Sequence, residues 1–178
     1  MNAPRELIHP RKLYSRLREA PSAAERAKSV LGFLCSATGA AGGYLFLLRD
    51  ETLALACSTL DGGDSPELRA EVMRAWNQDL DRLPENNQTM TMDGGSIDLS
   101  RQVSTYAPWR NAQNDVFERR LLCVYRYARW TPVGIAMLKS EGGHELAPVR
   151  PSHIEALCGA LLDAGDVSEP APTEATSR

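Results

Sequence analysis

An apolar run at residues 43–48 constrains the fold most strongly, because both sides of the strand it predicts carry large side chains. Strand alternation puts Tyr44 and Phe46 on one side and Leu45 and Leu47 on the other. A sheet with one face in water would instead place polar residues at every second position. The run therefore predicts a sheet that other elements cover on both faces.

Four apolar runs predict two β-hairpins. In the first hairpin, residues 52–59 follow the opening run after a polar turn at residues 49–51. In the second, residues 117–128 and 133–139 flank residues 130–132, which we place at the turn. Hairpin connections make the predicted sheet mostly antiparallel, with about five to six strands.

The segment between the two hairpins is less regular. Residues 83–95 are polar and predict a mobile loop, whereas residues 96–103 predict a short strand.

In the return strand of the second hairpin, strict alternation places Val133, Ile135 and Met137 on one face.

Three amphipathic helices accompany these strands. The first begins at Ser22, whose hydroxyl can cap the first turn, and ends at Gly39. The second begins at Ser65, and the last begins near Pro151. Their predicted buried stripes are Ala27, Val30, Leu31, Leu34 and Ala37; Leu68, Val72, Met73, Trp76 and Leu80; and Ile154, Leu157, Cys158, Leu161 and Leu162.

These elements predict an α+β domain. The first and last amphipathic helices are expected to share one face of the sheet, and the middle helix and the loops to cover the other. The domain is predicted over residues 21–164, after a lead-in helix within residues 1–20. Residues 165–178 are predicted to be disordered, because they offer too few apolar side chains to offset chain entropy.

Composition excludes several classes of function. The net charge of −3 argues against general binding of nucleic acid or anionic membranes, which favours a basic excess. No stretch approaches the roughly 20 apolar residues of a membrane span, and the first residues lack a signal core. A cytoplasmic location is therefore predicted. The four cysteines lie in apolar runs without a paired motif, which predicts buried free thiols.

The order of elements resembles the GAF domain family. Three pieces carry the resemblance. They are residues 35–40 with the run at 43–48, the paired strand at 53–58, and the closing strand 132–139 that leads into the helix 154–161. PAS domains, which share the architecture, are the nearest rival, but they usually lack such a long first helix.

The resemblance covers about residues 22–164 and implies a bacterial sensor or regulatory module with no catalytic centre of its own. GAF domains bind small ligands such as cyclic nucleotides, tetrapyrroles, haem or metabolites, or they serve only as dimerisation units. The resemblance implies a homodimer formed through the terminal helices that modulates a signalling partner, such as a kinase or a transcription regulator. It leaves any cofactor unknown.

The chain departs from two ligand signatures of that family. In cyclic-nucleotide-binding members a lysine near the last strand belongs to an Asn-Lys pair, but here Lys139 follows a leucine and precedes Ser140. Val149 and His153 stand where the phenylalanine and aspartate of that signature would fall. No cysteine is followed by a histidine, so the usual bilin attachment pattern is missing as well.

Five residues form the candidate ligand pocket. Arg101, Tyr106 and Trp109 set aromatic rings beside a cationic group, and Trp76 and Cys57 are expected to share their space over the open face of the sheet. The alternative function is therefore a small-molecule sensor. The structural alternative is that these rings simply fill the face as core.

A small enzyme of the GAF-type methionine sulfoxide reductase kind is the remaining alternative. It would need clustered cysteines, for which Cys57 and Cys123 are expected to face the same side. No histidine has a partner at metal-ligand spacing, and His153 is predicted at the surface. The arginines near the second hairpin are also predicted at edges or on the surface; they are Arg119, Arg120, Arg126 and Arg129.

Overall fold

The computed structural model describes residues 8–83 and 108–163. In chain order its elements are α1 (Pro10–Arg18), α2 (Ala23–Thr38), β1 (Gly42–Arg49), β2 (Thr52–Ser58), α3 (Pro66–Arg82), β3 (Trp109–Arg110), β4 (Val116–Arg126), β5 (Arg129–Ser140) and α4 (Pro151–Asp163). The strands form one antiparallel sheet in the order β2-β1-β5-β4-β3. The predicted α+β class is confirmed. The predictions for residues 84–103 and 165–178 lie outside the described residues.

The helix ends follow from local side-chain chemistry. The Ser22 hydroxyl accepts a hydrogen bond from the backbone N–H of Glu25 at 3.1 Å, and Ser65 caps Leu68 in the same way at 3.1 Å. Gly39 closes α2 with a left-handed φ of 78°. All of these boundaries agree with the sequence predictions.

Two-residue turns close both hairpins. Asp50 and Glu51 have φ values of 47° and 65°, and Tyr127 and Ala128 have values of 52° and 60°. Two successive positive φ values make the type I′ turn, whose twist matches that of the flanking strands. The predicted turn at residues 130–132 is therefore wrong. Those residues already belong to β5.

A β-bulge interrupts β2. Phe46 of β1 pairs with Leu55, but the neighbouring Leu45 pairs with Cys57, so Ala56 is an extra residue. The extra residue shifts the alternation by one position. Cys57 consequently faces the same side as Ala56 rather than the side of Leu55.

A second bulge has the same effect in β5. Leu122 pairs with Gly134 and the next residue of β4 pairs with Pro132, which leaves Val133 extra. Val133 therefore joins the cluster that contains Leu122, whereas Ile135 and Met137 face the opposite side. The prediction that Val133, Ile135 and Met137 share one face is wrong, because a bulge breaks the period of two.

Both faces of the sheet are covered, as predicted. One face, here called the terminal-helix face, packs against α1, α2 and α4. Its fully buried residues include Leu31, Leu34, Leu45, Leu122, Leu138 and Leu157. The other, here called the α3 face, packs against the middle helix. Its buried residues include Tyr44, Phe46, Val72, Trp76, Phe117 and Ile135.

The lead-in helix α1 belongs to the same core. Leu13 and Leu17 are buried in the cluster of the terminal-helix face. The Tyr14 hydroxyl donates a hydrogen bond to Asp163 at the end of α4, with an O–O distance of 2.8 Å. The helix therefore completes the layer in which α2 and α4 lie.

Two predicted stripes need correction at single positions. Met73 in α3 is 42% exposed and Leu162 in α4 is 39% exposed, although both were expected to be buried. Polar residues occupy the buried positions instead, with Asp79 in α3 and His153 in α4. A stripe position in a helix is buried because of its angle, whatever its residue type.

His153 is buried rather than at the surface, as had been predicted. Its Nε2 atom lies 2.9 Å from the backbone oxygen of Ile8, and its ring stacks on Phe33 with centroids 5.4 Å apart. The ring therefore ties the residues before α1 to α2 and α4. In the described ranges, no helix has the length and apolar character needed to cross a membrane.

Candidate functional site

All three tryptophans of the chain lie on the α3 face. Trp76 is buried on α3, and Trp109 and Trp130 pack at the margins of the same cluster. Trp109 lies opposite Phe117 on the neighbouring strand, with ring centroids 5.5 Å apart. Tyr44 continues this row, 6.0 Å from the Phe117 ring. The α3 face is thus a row of aromatic rings under one helix.

A buried ion pair crosses from α3 to the sheet at this face. The Nη2 atom of Arg119 on β4 lies 3.0 Å from a carboxylate oxygen of Asp79, and the side chains are 7% and 0% exposed. The amide oxygen of Gln78 lies 3.5 Å from Nη1 of Arg119. A guanidinium and a carboxylate are stable in such a place only when they neutralise one another.

The five predicted pocket residues are only partly brought together. Trp76 and Trp109 lie in one cluster on the α3 face. Cys57 lies on the terminal-helix face, so the expectation that it shares their space is wrong, and the bulge at Ala56 is the reason. Arg101 and Tyr106 lie outside the described residues.

Burial keeps the cysteine thiols protonated. Loss of solvent raises the pKa of Cys57 to about 11 and that of Cys123 to about 12, and it also raises the pKa values of Cys35 and Cys158. A thiol needs its thiolate form to act as a nucleophile. Cys123 moreover packs on the α3 face, so the predicted common side with Cys57 is wrong.

A second buried ion pair lies on the terminal-helix face. Nη1 of Arg120 lies 3.1 Å from Oε2 of Glu118, and Oε1 of Glu118 accepts a hydrogen bond from the backbone N–H of Leu146 at 2.9 Å. Nη2 of Arg120 donates to the backbone oxygen of Leu146 at 3.4 Å. The pair fixes the segment between β5 and α4 against β4.

The prediction that Arg119 and Arg120 lie at the surface is therefore wrong. Both are buried, and each is paired with a carboxylate on its own side of β4. The position of Arg119 in the strand could have predicted its burial, because Arg119 lies between Phe117 and Leu121, which both point to the α3 face. Arg129 at the hairpin tip is exposed, as predicted.

A third ion pair joins the ends of β4 and α4. Arg126 donates to both carboxylate oxygens of Asp163, at 2.6 and 3.1 Å, and Tyr14 of α1 donates to the same group. The hydrogen bonds from Arg126, and then that from Tyr14, lower the pKa of Asp163 to about 2. Both side chains are 30% exposed, so solvent screens the pair.

The Asp163 pair should make stability depend on pH in the acid range. The folded-state pKa of about 2 lies below the unfolded value of about 3.9, so the stabilisation is complete above pH 4 and is lost as the pH falls toward 2. We expect Asp163→Asn to lower the free energy of unfolding by about 1 kcal/mol at pH 7 and much less at pH 2. Urea unfolding at both pH values measures the difference. An equal loss at both values would contradict this assignment.

No family model matches the chain, and no curated protein matches it. Among residues 8–83 and 108–163, no three His, Cys, Asp or Glu side chains come together in a way that could hold a metal ion.

Proposed function

We propose that the chain is a non-catalytic regulatory domain of the GAF-like kind, which self-associates and modulates a partner protein. The observation that carries the proposal is the layering of the molecule. Helices α1, α2 and α4 cover one face of the antiparallel sheet, and α3 covers the other. This layering agrees with the arrangement expected from the amphipathic helices, in which the first and last of them share one face of the sheet.

The chemistry of the described side chains supports a regulatory role over a thiol-based enzyme. The most exposed thiols, Cys35 and Cys57, have raised pKa values because burial disfavours the thiolate. Their separation from Cys123 by the thickness of the sheet also works against a clustered-cysteine reductase.

The ion pairs of Arg119 and Arg120 give a route by which a movement on one face of the sheet would reach the other face. Arg119 is held by Asp79 of α3, and its neighbour Arg120 is held by Glu118, which in turn binds Leu146 in the segment before α4. Two adjacent residues of β4 are therefore bound to α3 on one face of the sheet and to the segment before α4 on the other face. A shift of α3 would move β4, and with it the segment that leads into the last helix.

Self-association is the part of the proposal that can be measured without a known partner. We expect light scattering coupled to gel filtration to give twice the chain mass of 19.5 kDa at high protein concentration. The mass should fall toward that of one chain on dilution, because a regulatory contact is reversible. A single-chain mass across a concentration range up to the millimolar level would contradict the proposed self-association.

A further inference from the structure

Within the part of the chain that the structure describes, the outer edge of β2 is a boundary of the sheet that carries no charged side chain and no proline. In the sheet order β2 is terminal, and within the described residues its strand partner is β1. Its sequence from Thr52 to Ser58 contains neither a charge nor a proline. The side chains from Leu53 to Ser58 are half-buried, and that of Thr59, just beyond the strand, is exposed. Natural proteins usually protect such an edge with charged residues or proline.

The hairpin geometry shows which backbone groups point outward. In a two-residue type I′ hairpin the residues that flank the turn, Arg49 and Thr52, form a hydrogen-bonded pair. Alternation then directs the backbone groups of Ala54 toward β1. The N–H and C=O groups of Leu53 and Leu55 point away from β1, toward the outer edge.

We propose that this outer edge pairs with the same edge of a second copy of the chain, so that two sheets become one continuous antiparallel sheet. The inference rests on the proposed self-association and names its surface. A two-fold axis through Ala54 places Leu53 of one copy opposite Leu55 of the other, which lets the outward N–H and C=O groups of both residues bond reciprocally. No charge falls opposite a like charge within the paired strands.

The side chains at this edge are self-complementary under the same axis. Leu53 and Leu55 both belong to the α3 face, so their pairing joins the two α3 clusters into one apolar layer. On the opposite face, Ala54 meets its own copy, and its small side chain permits close approach.

The terminal helices are the competing surface for a second copy. Their apolar stripes already pack in the core of the terminal-helix face, and Leu162 is the large apolar side chain that they expose most among the described residues. This is why the edge of β2, rather than those helices, is the assigned interface.

A cysteine placed on the proposed two-fold axis gives the most direct test. Opposed residues at a non-hydrogen-bonded position have Cα atoms about 4.5 Å apart, within the range of a disulfide. We expect Ala54→Cys to form a covalent dimer under mild copper–phenanthroline oxidation. The matched controls are the wild type, which retains its own four thiols, and Tyr127→Cys at the exposed hairpin tip.

A charge at the edge gives the second test. Leu55→Lys should weaken the dimer by about tenfold or more in dissociation constant, whereas Leu162→Lys on α4 should leave it unchanged. Far-UV circular dichroism and the melting temperature establish that each variant is folded. Should Leu55→Lys prove unfolded, the cross-linking of Ala54→Cys decides alone.

The outcomes separate the two claims. A dimer that Leu162→Lys disrupts, and that Ala54→Cys does not cross-link, overturns the β2 interface but preserves the proposed self-association. A chain that stays monomeric and uncross-linked overturns both. Covalent dimers of Ala54→Cys in clear excess over both controls support the inference.

Discussion

Replacing Asp79 by alanine is expected to lower the free energy of unfolding by about 3 to 5 kcal/mol, because it removes the carboxylate that neutralises a buried guanidinium. Arg119 would keep its charge at a position where its side chain is 7% exposed. Guanidinium chloride unfolding, followed by the fluorescence of the three tryptophans on the same face, measures the loss.

Two variants serve as controls for this prediction. The double variant Asp79→Leu with Arg119→Met removes both charges together and should fall within about 1 kcal/mol of the wild type. Lys28→Ala breaks the exposed pair with Glu25, at 3.1 Å, and should change stability by less than about 1 kcal/mol. If Asp79→Ala destabilises the chain no more than Lys28→Ala, the ion pair does not contribute as described.

The second large effect is expected at Leu157 of α4. This side chain is fully buried on the terminal-helix face, so Leu157→Ala should lower the free energy of unfolding by about 2 to 5 kcal/mol. The loss has two parts, the burial of the removed methyl groups and the cavity that remains. Chemical unfolding with an unchanged dependence on denaturant measures it.

Leu162 is the matched control, because it lies on the same helix and was predicted for the same buried stripe. It is 39% exposed, and Leu162→Ala should change stability by less than about 0.5 kcal/mol. Equal losses at the two leucines would mean that the rotation of α4 about its axis differs from the one described.

The sequence was sufficient to predict the helices, the two hairpins and their layers, but not the two-residue strand β3. Capping by Ser22 and Ser65 and the left-handed stop at Gly39 are local effects, and each is visible in a few residues. The two-sided apolar run of β1 also required cover on both faces of the sheet. These features depend on neighbours in the chain, which a sequence displays.

Bulges limited the prediction of which residues share a face. The extra residues Ala56 and Val133 are defined by pairing with β1 and β4, and nothing in the local sequence marks them as extra. One extra residue reverses the face of everything that follows it in the strand. This is how Cys57 came to be assigned to the pocket of Trp76.

The burial of the polar residues could have been predicted from their positions in the sequence, although their charges suggest the surface. Asp79 follows Val72 and Trp76 at helical spacing, so its position on the stripe predicts burial although its charge suggests the surface. Arg119 follows the same logic in β4. A charge at a core position of each of two adjacent elements is the pattern by which such a pair could be anticipated.

The placement of α3 on one face and of α1, α2 and α4 on the other is the foundation of the proposed function. Nuclear Overhauser contacts between side-chain protons test it most directly. The Trp76 ring should show contacts to side chains of its own cluster on the α3 face, and the His153 ring should show contacts to Phe33. Contacts between Trp76 and Leu157, which lie on opposite sides of the sheet here, would contradict the account.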